Sequence, residues 1–194
     1  MGSIDKYVVP QKLLLQRADE MSVEKSGEEF NLIVSTGRGL EPRCSRALLE
    51  IFSGFDDSFE SWKSVFSGLL LARARNPRPA VGHLVKTLGE RPWFNDLVKR
   101  AVPVDLVVET NPDEIVEASK RLRDGTDLGA EEPFRVRIRK RGAEVDRMEL
   151  IGRIADLFAN PVDLVSPEFE LRVEIIRGVT GVSLIRRGEI FPDL

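Results

Sequence analysis

An α+β fold in two consecutive units is predicted by three features of this 194-residue sequence. Residues 30–108 give strand and helix signals in the order β-α-β-β-α-β, the ferredoxin-like arrangement. Residues 134–139 and 169–175 alternate apolar and charged side chains with period two, as strands with one buried and one wet face do. Residues 145–158, between them, repeat apolar side chains at helical spacing. The boundaries read as an N-terminal extension over 1–28, a ferredoxin-like domain over 29–110 and an α/β domain over 111–194.

In the extension, Pro10 opens a short helix carrying Leu13, Leu14 and Leu15. Residues 30–35 form a strand with Phe30, Leu32 and Val34 on one face, and 36–39 turn the chain. Helix 41–52 has Pro42 in its first turn, with Cys44, Ala47, Leu48 and Ile51 in one stripe. Residues 58–65 and 68–73 read as a hairpin. Pro79 starts a helix with Val81, Leu84, Val85 and Leu88 inward, stopped by Gly89. Pro92 opens another, with Trp93, Leu97 and Ala101 inward, and 104–108 is a strand.

In the second unit, Thr110 or Asn111 caps a helix whose first position is Pro112. Asp113 and Glu114 face its positive end, and Ile115, Ala118, Ser119 and Leu122 form its inner stripe. Residues 124–133 are a loop. In helix 145–158, Met148, Ile151, Ile154, Ala155 and Phe158 share a face. Pro167 imposes an extended entry to the next strand, with Glu170, Arg172 and Glu174 on its wet face. Gly178 or Gly181 then turns the chain into a last strand over 182–185.

Composition narrows the function. An apolar content of 42% is that of a globular protein. A net charge of −3 means that any nucleic-acid surface is local. Cys44 is the single cysteine and His83 the single histidine, too few for a disulfide or a cysteine-histidine metal cluster. No apolar run reaches bilayer length, and the start lacks a basic segment followed by an apolar block. A cytoplasmic protein without a membrane partner is expected.

The most informative local chemistry is basic. In strand 134–139, Arg135, Arg137 and Arg139 project from the face opposite Phe134, Val136 and Ile138, with Lys140 and Arg141 at the end. Same-face residues recur roughly every 6–7 Å, near the phosphate spacing of a nucleic-acid strand, and Arg forks take phosphate in bidentate fashion. Cross-strand pairing of these arginines with Glu170 and Glu174 is the competing expectation. Arg177, Arg186 and Arg187 lie near strand ends and extend either a basic surface or a solvated hairpin. The 35–39 turn joins a strand to a helix, where phosphate can be held, but it lacks the phosphate-loop lysine and glycine spacing. Arg38 and Arg43 beside it are RNA-contact candidates. Cys44 reads as an inert core thiol, and Asp163 as a cap for local amides.

The order Val162-Asp163-Leu164, Pro167, Glu168, Phe169 and then an alternating Val173-Glu174-Ile175 strand resembles the core of the THUMP domain, an RNA-binding module of tRNA-modifying proteins. A ferredoxin-like domain ahead of it strengthens the resemblance, which spans about residues 30–191. The family resemblance implies tRNA binding, for which the candidate contacts are Arg135, Arg137, Arg139, Lys140, Arg141, Arg177, Arg186, Arg187, Arg38 and Arg43. THUMP domains usually accompany catalytic domains, and the sequence leaves no stretch for one. The 30–36 strand followed by Arg38-Gly39-Leu40-Glu41 is similar to the small adaptors that assist the tRNA cytidine acetyltransferase at the D-arm of serine and leucine tRNAs. That similarity implies a non-catalytic protein without cofactor or metal, whose partners are tRNA and a separate acetyltransferase, not DNA. A detached RNA-binding subunit of a thiolation or methylation enzyme is the alternative.

Overall fold

The first strand, β1 (Leu32–Ser35), runs down the middle of an antiparallel sheet because it is apolar on both faces. The structure is a computed structural model and describes residues 30–192; the expected extension and its leucine helix lie outside them. After β1 come α1 (Glu41–Phe52), β2 (Glu60–Lys63), β3 (Leu69–Arg73), α2 (Pro77–Glu90) and β4 (Arg100–Pro103). The sheet order β2-β3-β1-β4 is that of a ferredoxin-like fold. Leu32 and Val34 turn to the helices and join Cys44, Leu48, Phe52, Val81 and Leu84 in the core.

The second unit runs β5 (Leu106–Glu109), α3 (Pro112–Asp124), β6 (Phe134–Arg141), α4 (Arg147–Ala155), β7 (Phe169–Ile176) and β8 (Val179–Arg186). Its sheet order is β5-β8-β7-β6. β6 and β7 are parallel, and α4 supplies the crossover that parallel neighbours need. Asn111 caps α3 through the Asp113 N–H, and Asp146 caps α4 through the N–H groups of Met148 and Glu149. Both helices cover one face of the sheet, burying Ile115, Leu150 and Ile154 against Phe134, Phe169, Leu171 and Val173.

The two sheets meet through a third apolar cluster. Ile33, Leu69, Leu71 and Val102 leave the helix-free face of the first sheet and pack on Ile176, Ile185 and Ile190. Gly181 permits this approach: a Cβ there would lie 3.1 Å from both methyls of Val104. Gly142 has φ +65°, and a Cβ would press into the Phe66 ring.

This packing corrects the reading of β7. Every residue of β7 is buried, including Glu170, Arg172 and Glu174, which sequence alternation placed in water. The first unit covers that face, and a single strand's pattern does not record what lies above it. The expected strand 104–108 is divided: Val104 and Asp105 leave the first sheet, and β5 pairs with β8 in the second. The expected helix after Pro92 is a single 3₁₀ turn, Pro92–Phe94. Trp93 is exposed there, Phe94 and Val98 are buried, and Ala101 belongs to β4. α2 starts at Pro77, two residues early, and runs past Gly89; Val85 is exposed. Met148 is likewise exposed, and Leu150 takes the inward position. Among the described residues no helix is long and apolar enough to cross a membrane.

Candidate nucleic-acid interface

The parallel register sets Arg135 opposite Glu170, Arg137 opposite Arg172, and Arg139 opposite Glu174. The Glu170 carboxylate is fully buried and receives Arg135, Arg137 and Arg172. Arg172 forks between Glu170 at 2.6 Å and Glu174 at 3.2 Å. Arg141 closes the ladder on Glu174 at 2.9 Å. Four guanidinium groups thus share two carboxylates in a space with little water, where such attraction is strongest. Cross-strand pairing holds Arg135, Arg137 and Arg141; Arg135 is buried outright. The Arg139 side chain has no hydrogen bond or ion pair among the described residues. Lys140 turns away and donates to the Val145 carbonyl.

Arg100 enters this cluster from the other unit. It begins β4 opposite Ser35, half-buried, and its side chain likewise has no hydrogen bond or ion pair among the described residues. Burial, then the charges of Arg139 and Arg172, push its guanidinium down to about 10; Glu174 opposes them and Arg137 adds to them. Burial likewise lowers Arg137, against the pull of Glu170. The seam therefore holds more cationic than anionic charge. The same end of the first sheet carries Lys99, whose N–H bonds Ser35, and the turn with Arg38, where the Thr36 N–H bonds Gly68. The Arg177 N–H bonds the Arg141 carbonyl and places the β7–β8 turn at the matching end of the second sheet. Arg38, Arg43 and Arg177 are exposed.

Arg177 lies at one end of the β7–β8 hairpin and Arg186 and Arg187 at the other. The eight residues of β8 separate the turn from Arg186, roughly 25 Å of strand. Arg186 pairs with Glu132 at 3.0 Å, and Arg187 bonds the Ser166 hydroxyl and the Pro167 carbonyl. Both brace loops at the far end of the hairpin.

The 35–39 turn is no phosphate cradle, because Glu41 already occupies it. Its buried carboxylate accepts from the Gly68 N–H and the Ser67 hydroxyl. These bonds, with its own amide and that of Gly39, hold it at about 2. The Asp163 carboxylate caps the Val165 and Ser166 N–H groups, which keep it below the usual range. Burial pushes the Cys44 thiol up to about 11. His83 stacks on Phe55 at 4.0 Å, and its Nε2 meets the Ile51 carbonyl at 2.8 Å. Sequence reading missed Arg100. The adjacent Lys99-Arg100 pair ahead of a strand was its one signal; its position over β6 depends on how the sheets dock.

Residues 109–185 match the model of the THUMP domain. This chain carries a THUMP domain. It begins with the end of β5 and includes β6, β7 and most of β8, so the buried ladder lies within it while Arg100 lies outside. PH1313 from Pyrococcus horikoshii Ot3 has a similar fold (TM-score 0.60, 17% identity), matched over 81% of this chain and 55% of that one. TrmN from Thermus thermophilus is similar at TM-score 0.55 and 18% identity, over 80% of this chain and 45% of that one. A 4-thiouridine synthetase solved with RNA and ATP is similar at TM-score 0.51 and 15% identity, over 81% of this chain and 42% of that one. The chain thus spans about half the length of the solved proteins it matches, and the likeness is one of fold. No curated protein matches it.

Proposed function

We propose that this protein is a non-catalytic tRNA-binding adaptor that presents tRNA to a separate modifying enzyme, the tRNA cytidine acetyltransferase. The observation that carries the RNA-binding part is the seam: Arg100 and Arg139 face each other's charge with no anionic side chain bonded to either. A phosphodiester supplies the missing charge, and RNA laid there touches both units at once. Arg38, Lys99 and Arg177 stand at the same end to extend the contact along the backbone. An adaptor needs no acid–base group of its own. Holding tRNA while touching the enzyme makes the encounter effectively intramolecular, at about millimolar local concentration for a short tether. The solved likeness to a 4-thiouridine synthetase with RNA supports the second reading, a detached RNA-binding subunit of a thiolation or methylation enzyme.

The test has two parts. Gel shift with tRNA across a salt series gives the number of phosphate contacts, since each contributes about 0.7–0.9 to the slope of log affinity against log salt. Arg100→Ala and Arg139→Ala should each weaken binding to all tRNAs and flatten that slope by about one contact. Unchanged affinity in both variants removes the seam as the RNA face. Deleting the gene should then abolish acetylcytidine and leave thiolated, methylated and pseudouridylated positions intact. Loss of one of those with acetylcytidine retained selects the second reading.

A further inference from the structure

The outward backbone groups of β6 take no part in the ladder or the seam, and along the middle of the strand they have no strand partner among the described residues. β6 is the last strand of its sheet. At its start, the Phe134 N–H donates to the Pro161 carbonyl, and the Phe134 carbonyl accepts from the Asp163 N–H. Both groups of Phe134 therefore point away from β7. Strand alternation sends the N–H and C=O groups of Val136 and Ile138 the same way. Among the described residues the bridge at Phe134 is the sole strand-type pairing on that side of β6. Segment 161–163 then turns off at Asp163 and leaves the edge open.

A groove of about 480 Å³ follows this opening, lined by Arg135, Val136, Arg137, Ile138, Arg139, Arg147 and Leu164. Among the described residues no carboxylate lines it. Glu170, which pairs with the lining residues Arg135 and Arg137, is already engaged by three arginines. Leu164 lines the groove and is 70% exposed, and Val165 (89%) and Val162 (63%) are exposed in the same segment. Charged side chains on an edge strand guard against pairing with another copy. Here they do so selectively: they repel a basic strand and attract an acidic one, and three exposed aliphatic side chains are the opposite of a guard.

We propose that this edge is a docking site for an extended acidic segment of a partner protein, which adds to the sheet as a fifth strand beside β6. Its backbone pairs with Val136 and Ile138, its carboxylates meet Arg137 and Arg147, and an apolar side chain covers Leu164. This is strand addition, in which main-chain bonds give affinity and alternate side chains give selectivity. The proposal does not depend on which enzyme the protein serves, or on tRNA binding.

The experiment uses the full chain and three labelled octapeptides in fluorescence anisotropy: alternating Glu-Val, alternating Gln-Val and alternating Lys-Val. The Glu-Val peptide should bind saturably, Gln-Val about tenfold or more weaker, and Lys-Val not at all, a tenfold change being about 1.4 kcal/mol. Val136→Pro removes an outward N–H without touching the ladder to β7, and should weaken Glu-Val binding by about tenfold while tRNA binding persists. Arg147→Glu should weaken it at least as much, and it leaves the β6 backbone alone should Val136→Pro fold poorly. Equal binding of the three peptides overturns the proposal. So does Glu-Val binding that is indifferent to Arg147→Glu, or a mixed-sequence RNA octamer that displaces the peptide and is itself insensitive to Val136→Pro.

Discussion

Glu170→Ala tests whether the buried ladder is what locks β6 to β7. Glu170 is fully buried, and its carboxylate receives Arg135, Arg137 and Arg172. Arg137 keeps 38% of its side chain in solvent and can rehydrate; Arg135 keeps 10% and Arg172 only 2%. Removing the carboxylate therefore strands two guanidinium groups, and Arg172 retains only Glu174. Breaking one side of a buried pair costs about 3–5 kcal/mol, chiefly because the remaining charge is left unpaired. For a chain of this size that is a fall of about 6–20 °C in melting temperature. The apolar reference is Val173→Ala on the opposite face of the same strand, at about 1–3 kcal/mol for lost burial and a small cavity. Urea denaturation of both variants gives the comparison directly. The double variant Glu170→Ala with Arg135→Ala should cost less than the two single changes together, because the second deletion removes a stranded charge. If Glu170→Ala costs under about 1 kcal/mol, as a solvent-exposed pair does, or ranks below Val173→Ala, the ladder does not hold the strands.

Three further outcomes are expected. Glu41 sits at about 2 in the fold against an ordinary 4.5, so its contribution to stability is present above the ordinary value and lost as pH falls toward 2. Melting temperature measured from pH 5 to pH 2 should fall less steeply in Glu41→Gln than in the parent, and an unchanged slope refutes the assignment. Gly142→Ala should destabilise by about 1–2 kcal/mol or more, since a left-handed backbone already costs that for an L-residue and the new methyl meets Phe66; a neutral thermal melt removes the close approach. The Cys44 thiol, buried and raised to about 11, should resist iodoacetamide near pH 8 in the folded protein and react promptly in urea.

Local sequence determined the identity of nearly every element. Helix Glu41–Phe52 follows from Pro42 and its apolar spacing, α3 from the Asn111 cap, and β6 and β7 from alternation; each depends on residues within a few positions of one another. The THUMP resemblance was legible for the same reason, since its motif is one continuous stretch. Which faces are wet was decided only by tertiary structure. Glu170, Arg172 and Glu174 read as solvent-facing because charge alternating with apolar residues ordinarily marks a surface; the first unit's sheet docks over them and turns them into a buried ladder. That docking also brings Arg100, far off in sequence, against Arg139, while the β6–β7 register pairs Arg135 with Glu170. Alternation within a strand reports that its two faces differ in polarity. What shields the polar face is a contact between distant segments, which no local pattern encodes.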